Sequence, residues 1–266
     1  MTRPGNEQPH PASAMTARPQ GNPWLRRFHD VPTSRLTLVC FPHAGGSAGF
    51  FHPMSASAKH ALQVVALQYP GRQDRSGEPL LTTLSELADQ AYDALRPLMG
   101  RPLAFFGHSM GATLAFEVAV RMRQRLENSP VALFASGSRA PCRPRLTDAV
   151  HLRDDNGLVA ELAALNGTDP RLLREPDLLR IILPVLRADY MAVETYRYEV
   201  SLKLDCPIIA LVGDADSKVE VADARAWREH STGPFELRTF PGGHFYLTDH
   251  RTQITDLVIN QLLYPA

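Results

Sequence analysis

Apolar and polar positions fall into alternating blocks along this chain, and the blocks predict a parallel sheet covered by helices. Arg35–Phe41, Gln63–Gln68, Leu103–Phe106, Val131–Ser136, Ile208–Val212 and Phe235–Phe240 are short, mostly apolar runs. Such runs suit strands buried on both faces. Between them the spacing becomes helical. Within Thr83–Met99, Leu84, Leu87, Ala88, Ala91, Leu95 and Leu98 share one face, and Thr83 with Glu86 can form a capping box. Ala112–Leu126 and Val219–His230 also predict helices, as does Asp249–Leu263, with Ile254, Leu257, Val258 and Leu262 inward. Ser47–His60 is expected to be helical in part. The fold class is therefore α/β, a mostly parallel central sheet with helices on both faces.

The interval between Ser136 and Ile208 breaks the rhythm. It carries no strand pattern, only helical ones over Gly157–Leu165 and Asp177–Tyr198. The second is apolar on several sides, and Pro184 is expected to kink it. An insertion at this point sits over the carboxyl ends of the strands. Residues 146–200 are thus expected to form a helical lid above an apolar chamber, with Leu179, Ile182, Leu183 and Leu186 on its inner surface. Residues 1–22 are rich in Pro, Gly, Asn and Gln and predict a disordered leader, with Met15 as a second start site. Residues 23–266 then form one domain.

The candidate chemistry lies where strand turns to helix. Gly107-His108-Ser109-Met110-Gly111 follows the Leu103 run and precedes the Ala112 helix. Strand, G-x-S-x-G, helix is the nucleophile elbow of α/β-hydrolases. Its turn is too tight for side chains beside the serine, and it aims a helix N-terminus at developing negative charge. A serine needs a base, and the base needs an orienting carboxylate; in this fold they follow in the order Ser, Asp or Glu, His. The loop Gly213-Asp214-Ala215-Asp216 follows the Ile208 strand. Asp216, three residues past the glycine, is favoured as the acid, and Asp214 is the alternative. His244, after Gly242-Gly243 and the last strand, has the context of the base. His108 is expected to pack or bond locally, and His230 and His250 to lie on helix surfaces. The oxyanion hole is assigned to the backbone N–H groups of Met110 and of Ala44, with Gly45 the alternative to Ala44, in the loop Phe41-Pro42-His43-Ala44-Gly45-Gly46-Ser47.

Composition narrows the setting. Lys plus Arg and Asp plus Glu both number 28, so no net charge draws the chain to nucleic acid or an anionic membrane. No apolar run is long enough to span a bilayer, and no secretory signal is present. Three scattered cysteines, Cys40, Cys142 and Cys206, form no disulfide framework or metal motif, which fits a reducing cytoplasm.

Taken together, Phe41–Ser47, Gln68-Tyr69-Pro70-Gly71-Arg72, Phe106–Ala112, Leu183–Tyr190 and Gly242-Gly243-His244-Phe245-Tyr246 resemble the motif set of type II thioesterases of modular polyketide or nonribosomal peptide synthesis. The resemblance runs from about Trp24 to Leu263. It implies removal of aberrant acyl groups from the phosphopantetheine arm of acyl carrier proteins through an acyl-serine intermediate. It also implies nucleophile Ser109, acid Asp216, base His244, oxyanion donors Ala44 and Met110, and no metal or cofactor of the enzyme's own. The carrier protein is the expected partner. Because carriers are acidic, Arg139, Arg143 and Arg145 form a candidate docking patch. The competing readings are a generic carboxylesterase and a non-catalytic binding protein of the same fold.

Overall fold

A computed structural model describes residues 21–126, 129–143, 149–199 and 202–264. The expected leader, apart from its last two residues, lies outside the described residues. So do residues 146–148 and 200 at the ends of the expected lid. Seven strands form one sheet: β1 (Leu25–Arg26), β2 (Thr37–Phe41), β3 (Gln63–Leu67), β4 (Leu103–His108), β5 (Ala132–Ser136), β6 (Ile208–Gly213) and β7 (Phe235–Phe240). Their spatial order is β1-β3-β2-β4-β5-β6-β7. All neighbours are parallel except β1 and β3, where Leu25 faces Leu67. Strand β1 was not anticipated. Two residues give no periodicity, and it exists only because β3 offers a free edge.

Seven α-helices are described: α1 (His52–Ala58), α2 (Leu84–Leu95), α3 (Met110–Leu126), α4 (Asp155–Ala164), α5 (Pro176–Thr195), α6 (Val221–Arg225) and α7 (Arg251–Leu263). Thr83 caps α2, accepting the Glu86 N–H at 3.2 Å. The predicted helix over 83–99 ends early, and a 3-10 turn (Arg96–Leu98) carries Pro97, whose ring removes a helical N–H. The predicted helix 219–230 also divides, into α6 and a 3-10 turn over Ala226–His230. Tertiary bonds claim its groups instead: the Trp227 indole donates to the Ser138 carbonyl at 2.9 Å, and the His230 carbonyl accepts from Leu204 N–H. Helix α5 runs on through Pro184 as one element.

Two apolar layers flank the sheet. One holds Val39, Phe41, Phe105, Leu114 and Trp227 against α2 and α3; the other holds Leu38, Phe106, Phe134, Ile254 and Val258 against α1 and α7. Alternate residues of β2 and β4 thus serve opposite layers. The chain leaves β2 toward β3 on one side and later proceeds from β4 toward β7 on the other. The crevice beyond the carboxyl ends of β2 and β4 is therefore the switch point, where ligand sites of open α/β sheets form. No helix among the described residues is long and apolar enough to cross a membrane.

Candidate active site

Ser109 sits between β4 and α3 with φ +55°, a left-handed conformation that a serine adopts only under constraint. The constraint is visible in its neighbours. A Cβ on Gly107 would lie 2.2 Å from the Gly111 carbonyl oxygen, and one on Gly111 would lie 2.0 Å from that of Phe41. The Ser109 N–H is tied to the Ser136 carbonyl at 2.8 Å. The elbow is thus locked by packing that only glycine permits.

His244 is buried, and its Nδ1 donates to Asp216 Oδ2 at 2.9 Å and Oδ1 at 3.1 Å. The Asp216 carboxylate is fully covered and also accepts the Lys218 N–H at 2.8 Å. Because the carboxylate can only accept, it fixes the proton on Nδ1 and leaves Nε2 as the basic nitrogen. Asp214 is exposed, and its Oδ1 accepts the Gly242 N–H at 2.9 Å, so it ties the histidine loop rather than the histidine. Neither aspartate caps α6, whose N-cap is Glu220.

Ser109, His244, Ala44 and Met110 line one cavity. Among the described residues no hydrogen bond joins Ser109 to His244; catalytic contacts are often long until a substrate draws them together. Met110 opens α3, so its N–H has no intrahelical acceptor. The Gly45 N–H is already committed to Asp189 Oδ2 at 2.7 Å, whereas that of Ala44 meets no acceptor among the described residues. Of these two loop N–H groups, that of Ala44 is the one left available among the described residues.

The cavity roof comes from the helical segment, but from positions on either side of those expected. Val150, Leu165, Tyr190, Val193 and Glu194 line it. Leu183 and Leu186 pack with Val150 and Leu158 inside the segment, with Ala44 beside them, and Leu179 and Ile182 lie at the edge of that cluster. The segment is joined to the acid loop by an ion pair between Glu161 of α4 and Lys218, 2.5 Å apart. Of the three arginines of the candidate docking patch, Arg139 pairs with Asp223 and Arg143 with Glu229, and Arg145 lies outside the described residues.

Four further histidines behave differently from one another. His108 is fully buried beside His244, their ring centres 5.2 Å apart, and its Nδ1 bonds the Ser136 hydroxyl at 3.0 Å. Burial, with His244 and His43 nearby, lowers its pKa well below the usual value. His43, in the oxyanion loop, is lowered to about 3 by burial, with His244 and Arg72 adding to the effect. Both rings stay neutral and add no charge against a charged His244. His230, expected on a surface, is buried against Phe116 and Trp227. Burial lowers it to about 4. A helical wheel places it outward; the 3-10 turn rotates it inward. His250 is half-buried, bonded to the Pro241 carbonyl.

The elbow on a parallel sheet, with an acid and a histidine on the loops after β6 and β7, defines a serine hydrolase of the α/β-hydrolase fold. Residues 36–262 match the family model of the thioesterase domain. The chain belongs to the thioesterase domain family, and it is a thioesterase. It is 49% identical over 242 residues to a probable cadicidin biosynthesis thioesterase of Streptomyces griseus, covering 91% of this chain and 66% of that protein. It is 46% identical over 256 residues to thioesterase PikA5 of Streptomyces venezuelae, covering 94% and 90%. The solved structure of BorB, the type II thioesterase of the borrelidin biosynthetic cluster, superposes with a TM-score of 0.85 at 47% identity, covering 92% of this chain and all of BorB.

Proposed function

We propose that this thioesterase hydrolyses aberrant or stalled acyl groups from the phosphopantetheine arm of acyl carrier proteins in polyketide or nonribosomal peptide synthesis. The observation that carries the reading is the Asp216–His244 pair opening on the cavity that holds Ser109. His244 Nε2 takes the Ser109 proton as Oγ attacks the thioester carbonyl. Charge on the carbonyl oxygen is met by the Ala44 and Met110 N–H groups. The thiol leaves with the proton from His244. A water then loses its proton to His244 and attacks the acyl-Ser109 ester; as the acyl–oxygen bond breaks, His244 returns that proton to Ser109 Oγ and the acid is freed. The phosphopantetheine belongs to the substrate, and the reaction asks for no metal or cofactor of the enzyme's own.

The segment containing α4 and α5 acts as a lid, and Val150, Leu165 and Val193 meet the acyl chain. Carrier proteins of cytoplasmic synthases are the partners. The test is incubation with acetyl-, propionyl- and longer acyl-carrier proteins, following loss of the acyl group by intact-protein mass spectrometry. Rapid deacylation of the carriers is expected. Strong preference for simple oxoesters over carrier-bound thioesters would make the enzyme a general carboxylesterase instead.

A further inference from the structure

The motifs Gln68–Arg72 and Leu183–Tyr190 contribute nothing to the triad, yet they meet at one point. Arg72 follows β3, and Asp189 lies on α5. The Arg72 guanidinium is bonded to Asp189 Oδ2, with the two side chains 6% and 0% exposed. The same Oδ2 accepts the Gly45 N–H. Arg72 Nε donates to the Gly46 carbonyl at 3.3 Å, and its Nη1 to that of Pro70 at 2.8 Å. Gln68 accepts the Ala48 N–H at 2.9 Å, and the Tyr69 hydroxyl donates to the Pro42 carbonyl at 3.1 Å. The oxyanion loop is thereby gripped at residues 42, 45, 46 and 48. Ala44, between the grips, keeps its N–H free and lines the cavity.

Helix α5 is also pressed against this loop. Gly45 has φ +74°, and a Cβ there would lie 3.0 Å from Leu186 Cδ1. Ala44 packs on the cluster of Leu183 and Leu186. A buried ion pair adds little net stability, because desolvation offsets its attraction. Its geometry is another matter: a carboxylate shared between a guanidinium and a backbone N–H fixes the plane of the 44–45 peptide.

We propose that Arg72 and Asp189 are positioning residues of the oxyanion hole. They hold the Gly45 peptide so that the Ala44 N–H faces the thioester carbonyl. Since Asp189 rides on α5, the helical segment over the cavity sets the aim of an oxyanion donor as well as covering the substrate. The proposal rests on the thioesterase reading above.

The experiment compares wild type, Asp189→Asn and Arg72→Lys on an acyl-carrier thioester. Two ligands accompany it: an acyl trifluoromethyl ketone, whose adduct on Ser109 carries an oxyanion, and a thioether-linked acyl carrier, which forms none. Asp189→Asn is expected to lower kcat roughly 10- to 100-fold with KM within about twofold, somewhat less than loss of a whole donor. Trifluoromethyl ketone affinity should fall by a similar factor, and thioether affinity should hold. Arg72→Lys, which keeps charge but loses the fork, should fall between. A folded Asp189→Asn enzyme with wild-type kcat and ketone affinity overturns the proposal. So does a variant whose affinity for both ligands falls together with its melting temperature, the mark of a purely structural pair. If Asp189→Asn does not fold, the double variant Arg72→Gln/Asp189→Asn, with no unpaired buried charge, is read by the same criteria. Wild-type inactivity toward thioesters would instead overturn the functional reading beneath it.

Discussion

The sheet with its loops and the helical segment above it are built on opposite terms. The scaffold's strands β2 to β6 are continuous apolar runs, and its site residues hang from turns that only one geometry allows. The segment holds a small apolar cluster around Leu158 and Leu186, and it is tied to the scaffold by polar bonds, Glu161–Lys218 and Asp189 to Arg72 and Gly45 among them, and at the end of α5 by Ala192, which is buried in the scaffold's own core. It leaves Leu152, Leu172, Ile181 and Met191 exposed. The scaffold therefore carries the triad on turns fixed by close packing, whereas the segment covers them with a smaller apolar cluster and a more exposed outer face.

Substitutions can break or sharpen that division. Ser109→Ala removes one hydroxyl from the scaffold and should cost on the order of 10⁶ in turnover while leaving melting unchanged. Acyl-carrier hydrolysis at a few per cent of wild type would be enough to discard Ser109 as nucleophile. Asp216→Asn should lower kcat about 10³–10⁴-fold by losing the tautomer it imposes on His244. Asp214→Asn, whose carboxylate accepts the Gly242 N–H, should stay within roughly tenfold, the equivalent of one hydrogen bond. The opposite ranking in steady-state assays would move the acid to Asp214.

Leu186→Ala opens the cluster of the helical segment and should cost about 2–5 kcal/mol by denaturant unfolding. A change in acyl preference without loss of stability would show that Leu186 meets substrate after all. A smaller effect belongs to the scaffold. His230 is neutral when folded, with its pKa lowered from 6.5 to about 4 by burial. A lowered base binds fewer protons folded than unfolded, so its contribution is whole above pH 6.5 and drains away as pH falls toward 4. His230→Phe places an aromatic ring among aromatic rings, and should lessen the drop in melting temperature between about pH 7.5 and 4.5. An unchanged acid drop would assign the sensitivity to other groups. The smallest effect is in selectivity: Leu165→Ala or Val193→Ala should favour longer acyl chains by about 1 kcal/mol per methylene accommodated, a graded shift in kcat/KM across a chain-length series. Equal kcat/KM ratios in wild type and variants would place the acyl chain elsewhere.

The strands and most helices were legible because each is a local pattern strong enough to stand alone. The elbow was legible because two glycines, an apolar strand and an apolar helix adjoin Ser109 in sequence. Three features escaped for the same reason in different guises. Strand β1 needs the edge of β3, the division of 219–230 needs Ser138 and Leu204, and the inward turn of His230 follows from that division. The apolar face of α5 was visible, but which of its residues would meet the cavity and which would meet α4 was not. Periodicity ranks positions around a helix and says nothing of where along it the neighbour ends.

The sequence by itself determined the α/β architecture, the elbow around Ser109, and the places of the aspartate loop after β6 and the histidine loop after β7. These depend on residue type and on spacing along one chain. Tertiary structure decided that Asp216 and not Asp214 reaches His244, and that the N–H of Gly45 and not of Ala44 is taken, and it placed Asp189 beside Arg72. In the first two cases the candidates have the same backbone or the same carboxylate and lie one or two residues apart. What separates them is which hydrogen-bonding partner reaches them first from a distant part of the chain, and a partner 28, 117 or 144 residues away leaves no periodic trace in the sequence.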